Sequence, residues 1–124
     1  MTTSGARSWF IADAYLASTG IGERWESHES VCLLNVGNAD ANVRVTLYFE
    51  DRPPVDTIRL TVAAKRNVHL GTNKPERWGG FPIPRDVPYA IALESDVPLI
   101  CQYSRMDVTQ PNMTLMTAIP YSVP

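Results

Sequence analysis

The sequence predicts an all-β protein: an antiparallel β-sandwich of about eight strands with no substantial helix. Two observations carry that prediction. Ten prolines punctuate the 124 residues, and from Pro53 onward no long segment escapes them. A proline in a helix interior costs about 3 kcal/mol, which excludes a helical bundle. What lies between the breaks is short and alternating, with turn signals at the spacing of sandwiches and barrels.

Taken in order, residues 1–7 read as a flexible N-terminus and Ser8 to Ala14 as the first strand. Glu29 to Val36 is the second, closed into a hairpin by Gly37-Asn38-Ala39-Asp40. Asn42 to Glu50 is the clearest element. Val43, Val45, Leu47 and Phe49 point one way, while Arg44, Thr46, Tyr48 and Glu50 point the other, as in a half-buried strand. Asp51-Arg52-Pro53-Pro54 cannot continue a ladder, so it turns the chain into a strand in which Ile58, Leu60 and Val62 alternate with Thr57, Arg59 and Thr61. Lys65 to Leu70, Tyr89 to Glu94, Pro98 to Met106 and Met113 to Tyr121 complete the set, with a second hairpin at Ser95-Asp96. Two connections are long, 15–27 and 71–87. The latter carries Trp78-Gly79-Gly80 and Pro82-Ile83-Pro84. Loops of this length in a compact domain usually serve function or partners.

Size and charge fit one domain over residues 1–124. A 13.8 kDa chain exposes roughly 6,600 Å² when folded against about 20,000 Å² extended, enough burial for a core without metal or disulfide staples. The net charge is −2 and the pI near 5.6, so nucleic-acid binding is not the default. No apolar run approaches the ~18 residues that span a bilayer, and Met1-Thr2-Thr3-Ser4-Gly5-Ala6-Arg7 does not read as a signal peptide. Cys32 and Cys101 lie in apolar strand-like segments and read as reduced thiols, bridged only if their strands are neighbours. The expected location is cytoplasmic.

Some strands are apolar on both faces. Trp9-Phe10-Ile11-Ala12, Val31-Cys32-Leu33-Leu34 and Leu99-Ile100-Cys101 show no polar parity, whereas a two-layer sandwich with wet outer faces should alternate. Without a helix to cover them, a second copy of the chain is the economical cover. A cyclic homo-oligomer is therefore expected, with Cys32, Leu34 and Ile100 in its interface.

The residue pattern gives little support to catalysis. There is no Gly-x-Ser-x-Gly, no phosphate-cradling glycine loop and no Cys-x-x-Cys. His28-Glu29 is only superficially half of a zinc helix motif. His28, His69 and Asp107 would suit zinc only if the strands brought them together; no metal or cofactor is expected. Lys65, Arg66 and His69 form a candidate patch for an anion or a docking partner. Gln102, Arg105 and Asp107 end the strand from Pro98, with Arg105 and Asp107 on one parity and able to pair. Together with His28, Glu29 and the loop aromatics Trp25 and Trp78, and with Tyr15 nearby, they are candidates for a sugar or metabolite site. The plainer reading has the tryptophans filling space under the loops.

One ordered series of segments runs from Trp9 to Ala14 through His28-Glu29-Ser30-Val31-Cys32-Leu33-Leu34-Asn35, then Val43 to Asp51 with Pro54-Val55. It continues with Arg59-Leu60-Thr61-Val62, Arg66, His69, Pro82-Ile83-Pro84 and Glu94-Ser95-Asp96-Val97-Pro98. It closes with Gln102-Tyr103-Ser104-Arg105-Met106-Asp107, Gln110 and Thr117-Ala118-Ile119. Over nearly the whole chain this resembles the soluble sensory rhodopsin transducer family. The resemblance implies a jelly-roll sandwich, a cyclic tetramer, and a cytoplasmic non-enzyme that relays a signal from a membrane photoreceptor or another receptor. It further implies DNA as a downstream partner, and a sugar or related metabolite as a ligand through similarity to carbohydrate-binding sandwiches.

Overall fold

A computed structural model describes residues 4–18 and 25–124 of the protein, and these residues form eight antiparallel strands and one short 3-10 turn. The strands are β1 (Ala6–Tyr15), β2 (His28–Asn35), β3 (Ala41–Phe49), β4 (Val55–Val62), β5 (Arg66–Gly71), β6 (Pro88–Asp107), β7 (Thr114–Ala118) and β8 (Tyr121–Val123). There is no α-helix among the described residues.

The 20-residue β6 organises the fold. Its first half lies between β3 and β1 in a layer ordered β4-β3-β6-β1-β8, and its second half lies between β2 and β7 in a layer completed by β5. The buried side chains of both layers, among them Trp9, Val31, Leu33, Val45, Leu47, Ile91, Leu93, Leu99 and Tyr103, form one core. This arrangement agrees with the predicted sandwich and is compatible with a jelly roll.

Two predicted hairpins are corrected. Ser95-Asp96 does not turn the chain back; β6 runs through it. Opposite the step from Ala6 to Ser8, β6 advances from Glu94 to Leu99, a wide bulge that carries the strand from one layer to the other. Pro98 is tolerated because this stretch has left the regular ladder. Its polar neighbours are satisfied locally, since the Asp96 carboxylate accepts from the Asn42 backbone N–H at 2.8 Å and from its side-chain amide at 2.9 Å. These bonds hold the Asp96 carboxyl below its ordinary range. Across the bend the Trp9 indole N–H lies 3.1 Å from both the Ala6 and the Leu99 carbonyls. Gly5, at φ +101°, is needed beside it, because a Cβ there would sit 2.3 Å from the Leu99 carbonyl oxygen.

Gly37-Asn38-Ala39-Asp40 likewise closes no hairpin. It takes the chain from β2 in one layer to β3 in the other, and these two strands are not paired. Asn35, fully buried, pins the crossing by donating to the Ala39 and Val62 carbonyls at 2.9 and 3.0 Å. The hairpin at Asp51-Arg52-Pro53-Pro54 is present, with β3 and β4 paired on either side.

Boundaries shift modestly. β1 begins at Ala6, which is buried, so residues 6 and 7 belong to the sheet instead of a free N-terminus. Lys65 precedes β5 in a turn at φ +59°. The strand predicted at Met113 to Tyr121 divides into β7 and β8, one on each layer. Of the long 15–27 connection, residues 19–24 lie outside the described residues.

The cysteines are on neighbouring strands but cannot bridge. Cys101 lies opposite Leu33 and Cys32 opposite Gln102, so the two thiols are on opposite faces of the same layer. Burial pushes the Cys101 thiol up to about 12. Oxidation of the folded protein is expected to leave it without an internal disulfide, and thiol titration before and after mild oxidant at low protein concentration checks this.

Candidate functional site

The site grows from a charged residue placed on an apolar parity. In β2, Glu29 shares its face with Val31 and Leu33, and like them it is fully buried. A carboxylate so placed needs donors, and the fold supplies them from four segments. The Tyr89 hydroxyl, from the first half of β6, donates to Oε1 at 2.5 Å, and the Tyr103 hydroxyl, from the second half, donates to Oε2. The Thr72 hydroxyl reaches Oε1 at 3.1 Å, and the backbone N–H of Tyr15 reaches Oε2 at 2.9 Å. Burial and then the neighbouring Glu29 charge push the pKa of both tyrosines up, so both stay protonated as donors. Arg105 extends the network, its Nε–H donating to the Tyr103 hydroxyl at 3.2 Å and its guanidinium reaching the Asp13 carbonyl at 2.6 Å.

Above this network lies an open cleft of about 520 Å³ on the outer side of the β5-β2 layer. It is lined by His28, Ser30, His69, Gly71, Asn73, Lys74, Glu76 and Arg77. The strands provide its floor and the loop after β5 provides its wall. That loop is held in place: the Thr72 N–H donates to the Glu29 carbonyl at 2.9 Å, the Lys74 N–H to Gly71 at 3.0 Å and the Arg77 N–H to Lys74 at 2.9 Å. Trp78 closes it from beneath, fully buried, its indole N–H donating to the Gly71 carbonyl at 2.9 Å. Arg77 and Lys74 therefore project from a backbone anchored in the core.

The structure redistributes the residues singled out from sequence. His28 and His69 do line one cleft, but Asp107 lies on the other parity of β6 and is held by Thr109, whose N–H and hydroxyl donate to it at 2.8 and 2.6 Å. Those bonds lower the Asp107 carboxyl. No group of three metal-ligating side chains occurs among the described residues. Arg105 takes Asp13, at 3.4 Å, as its ion-pair partner in place of Asp107. Gln102 is on the outer face with Cys32 and His69, and Arg105 is on the inner parity, so they do not converge. Trp78 is core, and Trp25 is exposed. Tyr15 instead meets Asp86, its hydroxyl 3.4 Å away.

The patch Lys65, Arg66 and His69 is also divided. The Lys65 ammonium donates to the Val36 carbonyl at 3.0 Å. Arg66 lies opposite Asn35, whereas His69 lies opposite Cys32, on alternate parities. His69 joins Lys74 and Arg77 instead, two cations that sequence reasoning missed because their loop has no periodicity to align them.

Exposed apolar side chains occupy two places. Leu34 and Ile100 are directly paired on the outer face of β2 and β6, with Cys32 in the next outward row. Leu34 is exposed and Ile100 half-buried. The C-terminal segment exposes Met113, Leu115, Met116, Ile119, Tyr121 and Val123, and β7 is exposed on both parities. Tyr121 approaches Phe10 of β1, ring centres 6.4 Å apart. No described helix is long and apolar enough to cross a membrane.

The molecule is thus a two-layer antiparallel sandwich sharing one long bent strand, with exposed apolar side chains and an open cleft that Lys74 and Arg77 line. The chain belongs to the family described as the Anabaena sensory rhodopsin transducer, whose model matches residues 4–122. It is similar to the solved structure of Thermotoga maritima 1070, with 38% identity over 98% of this chain and 97% of that one and a TM-score of 0.86. It is also similar to the Anabaena sensory rhodopsin transducer, with 36% identity over 83% of this chain and 91% of that one and a TM-score of 0.70. No curated protein matches the chain.

Proposed function

We propose that the protein is a non-enzymatic cytoplasmic signalling adaptor that assembles as a cyclic homotetramer and docks on a membrane receptor. Membership of the transducer family supports the relay role. The single observation that carries self-association is the apolar outer surface made by the exposed Leu34, the half-buried Ile100 beside it and the exposed C-terminal segment. β7 is an edge-strand segment with apolar residues on both sides, an arrangement that monomers normally avoid. Cys32, Leu34 and Ile100 form one part of the proposed contact and Leu115 and Ile119 the other. Lys65 and Arg66 remain candidates for the receptor-facing surface. A photoreceptor is the receptor class that the Anabaena relative's name suggests, and DNA is a partner that this reading does not need.

Light scattering coupled to gel filtration tests the assembly. The wild-type chain is expected to run as an oligomer at micromolar concentration. Leu34→Glu, Ile100→Glu or Leu115→Glu should shift it to monomer while its far-ultraviolet circular dichroism is unchanged. A wild-type monomer under these conditions refutes self-association. Receptor docking is tested by detergent pull-down with a candidate receptor, and retention should fall when Lys65 and Arg66 are reversed in charge. The second reading, a small-molecule module, is favoured by the cleft beneath Lys74 and Arg77.

A further inference from the structure

We infer that this cleft is a binding site for a small-molecule phosphate monoester. The inference concerns a ligand and stands whether or not the protein docks on a receptor. Lys74 and Arg77 bring two cationic side chains to one wall, His28 and His69 line it from β2 and β5, and Ser30, Gly71, Asn73 and the acidic Glu76 complete the lining. Neither Lys74 nor Arg77 makes an ion pair among the described residues, and Glu76 in the same lining pairs with neither. Two cations that share a cleft wall and hold no carboxylate of their own offer charge-assisted hydrogen bonds to an incoming anion.

Shape and chemistry select the class. A cleft of about 520 Å³ is within the usual range for small ligands. Donors approach from both the strand floor and the loop wall, which suits a dianion with three terminal oxygens better than a planar carboxylate with two. Glu76 repels a second anionic group but accepts from a hydroxyl, which favours a mono-phosphorylated alcohol over a polyphosphate. The wall is also preorganised. Trp78 in the core, the Thr72–Glu29 bond and the 3-10 turn at Pro75–Trp78 fix the backbone that carries both cations, so little ordering entropy is lost on binding.

The test uses the full chain and isothermal titration with glycerol 3-phosphate, inorganic phosphate and acetate. Glycerol 3-phosphate is expected to bind most tightly and acetate most weakly. The paired change Lys74→Gln with Arg77→Gln should weaken the phosphate ester by at least about tenfold. Neither side chain has a hydrogen-bond or ion-pair partner among the described residues, so the fold should be unaffected; His69→Gln is a second variant, expected to weaken binding less. Arg59→Glu, on the outer face of the other layer, should leave it unchanged. No heat and no 31P line broadening at about 10 mM ester, a limit below even weak specific binding, overturns the inference. So does acetate binding as well as the ester, an unchanged affinity in the Lys74, Arg77 variant, or an equal loss with Arg59→Glu.

Discussion

Glu29→Ala is expected to destabilise the protein by about 3–5 kcal/mol, the range for stripping a buried charged group from its partners. The loss does not come from the missing contacts alone. Two tyrosine hydroxyls, the Thr72 hydroxyl and the Tyr15 N–H all point at this carboxylate, and removing it strands them in the core. Glu29→Gln should cost less, about 2 kcal/mol, because the carboxamide keeps one acceptor oxygen but turns an NH2 group toward a donor. The triple change Glu29→Leu, Tyr89→Phe, Tyr103→Phe should recover part of the single-variant loss, since both tyrosine donors leave with the carboxylate and only the Tyr15 N–H and the Thr72 hydroxyl lose their side-chain acceptor. Urea unfolding measures all three. A Glu29→Ala variant within about 1 kcal/mol of wild type would show that solvent reaches these groups and that the network does not tie the layers together. The consequence extends to function, because Tyr89 and Tyr103 sit on the two halves of β6 and Thr72 begins the loop that carries Lys74 and Arg77.

This network was legible in part. Along β2 the alternation places Glu29 with Val31 and Leu33, and a carboxylate on the apolar parity of a strand is a signal for a buried, partnered charge. Its partners were not legible, since Tyr89, Tyr103, Thr72 and Tyr15 meet it only once β6 has bent across both layers. The same bend explains the misread hairpin. Ser95, Asp96 and Pro98 have turn chemistry, and a bulge uses the same residues to leave a ladder that a turn uses to end it. Gly37 to Asp40 misleads for a related reason: local sequence marks a reversal of the chain but not whether it returns to its own layer. β3 was read correctly because its alternation from Val43 to Phe49 reports burial directly, inward valines and leucine against outward Arg44 and Tyr48. The two-sided apolar strands divide accordingly. Trp9, Ile11, Val31, Leu33, Leu99 and Cys101 are core, and Phe10, Leu34 and Ile100 are the outward remainder. The exposed C-terminal segment adds more apolar surface than those strands alone foretold.

Trp78→Ala is expected to cost about 3–5 kcal/mol, as for large aromatic truncations in packed cores, and to lower the melting temperature by roughly 10–20 °C for a chain of this size. The indole is fully buried and belongs to the common core, so truncation leaves a cavity that the flanking β4 and β5 strands cannot fill without moving. It also frees the Gly71 carbonyl, to which the indole N–H donates. Trp78→Phe separates the two effects. It keeps most of the volume and loses the hydrogen bond, so it should cost about 1–2 kcal/mol. The same pair of variants asks whether the loop's rigidity matters to the cleft. Trp78→Phe should preserve the wall, and Trp78→Ala should loosen it, seen as faster amide exchange at Lys74 and Arg77, whose N–H groups bond within the loop. Equal exchange in both variants would mean that the 3-10 turn holds itself. Trp78 would then be a core residue with no bearing on the cations above it.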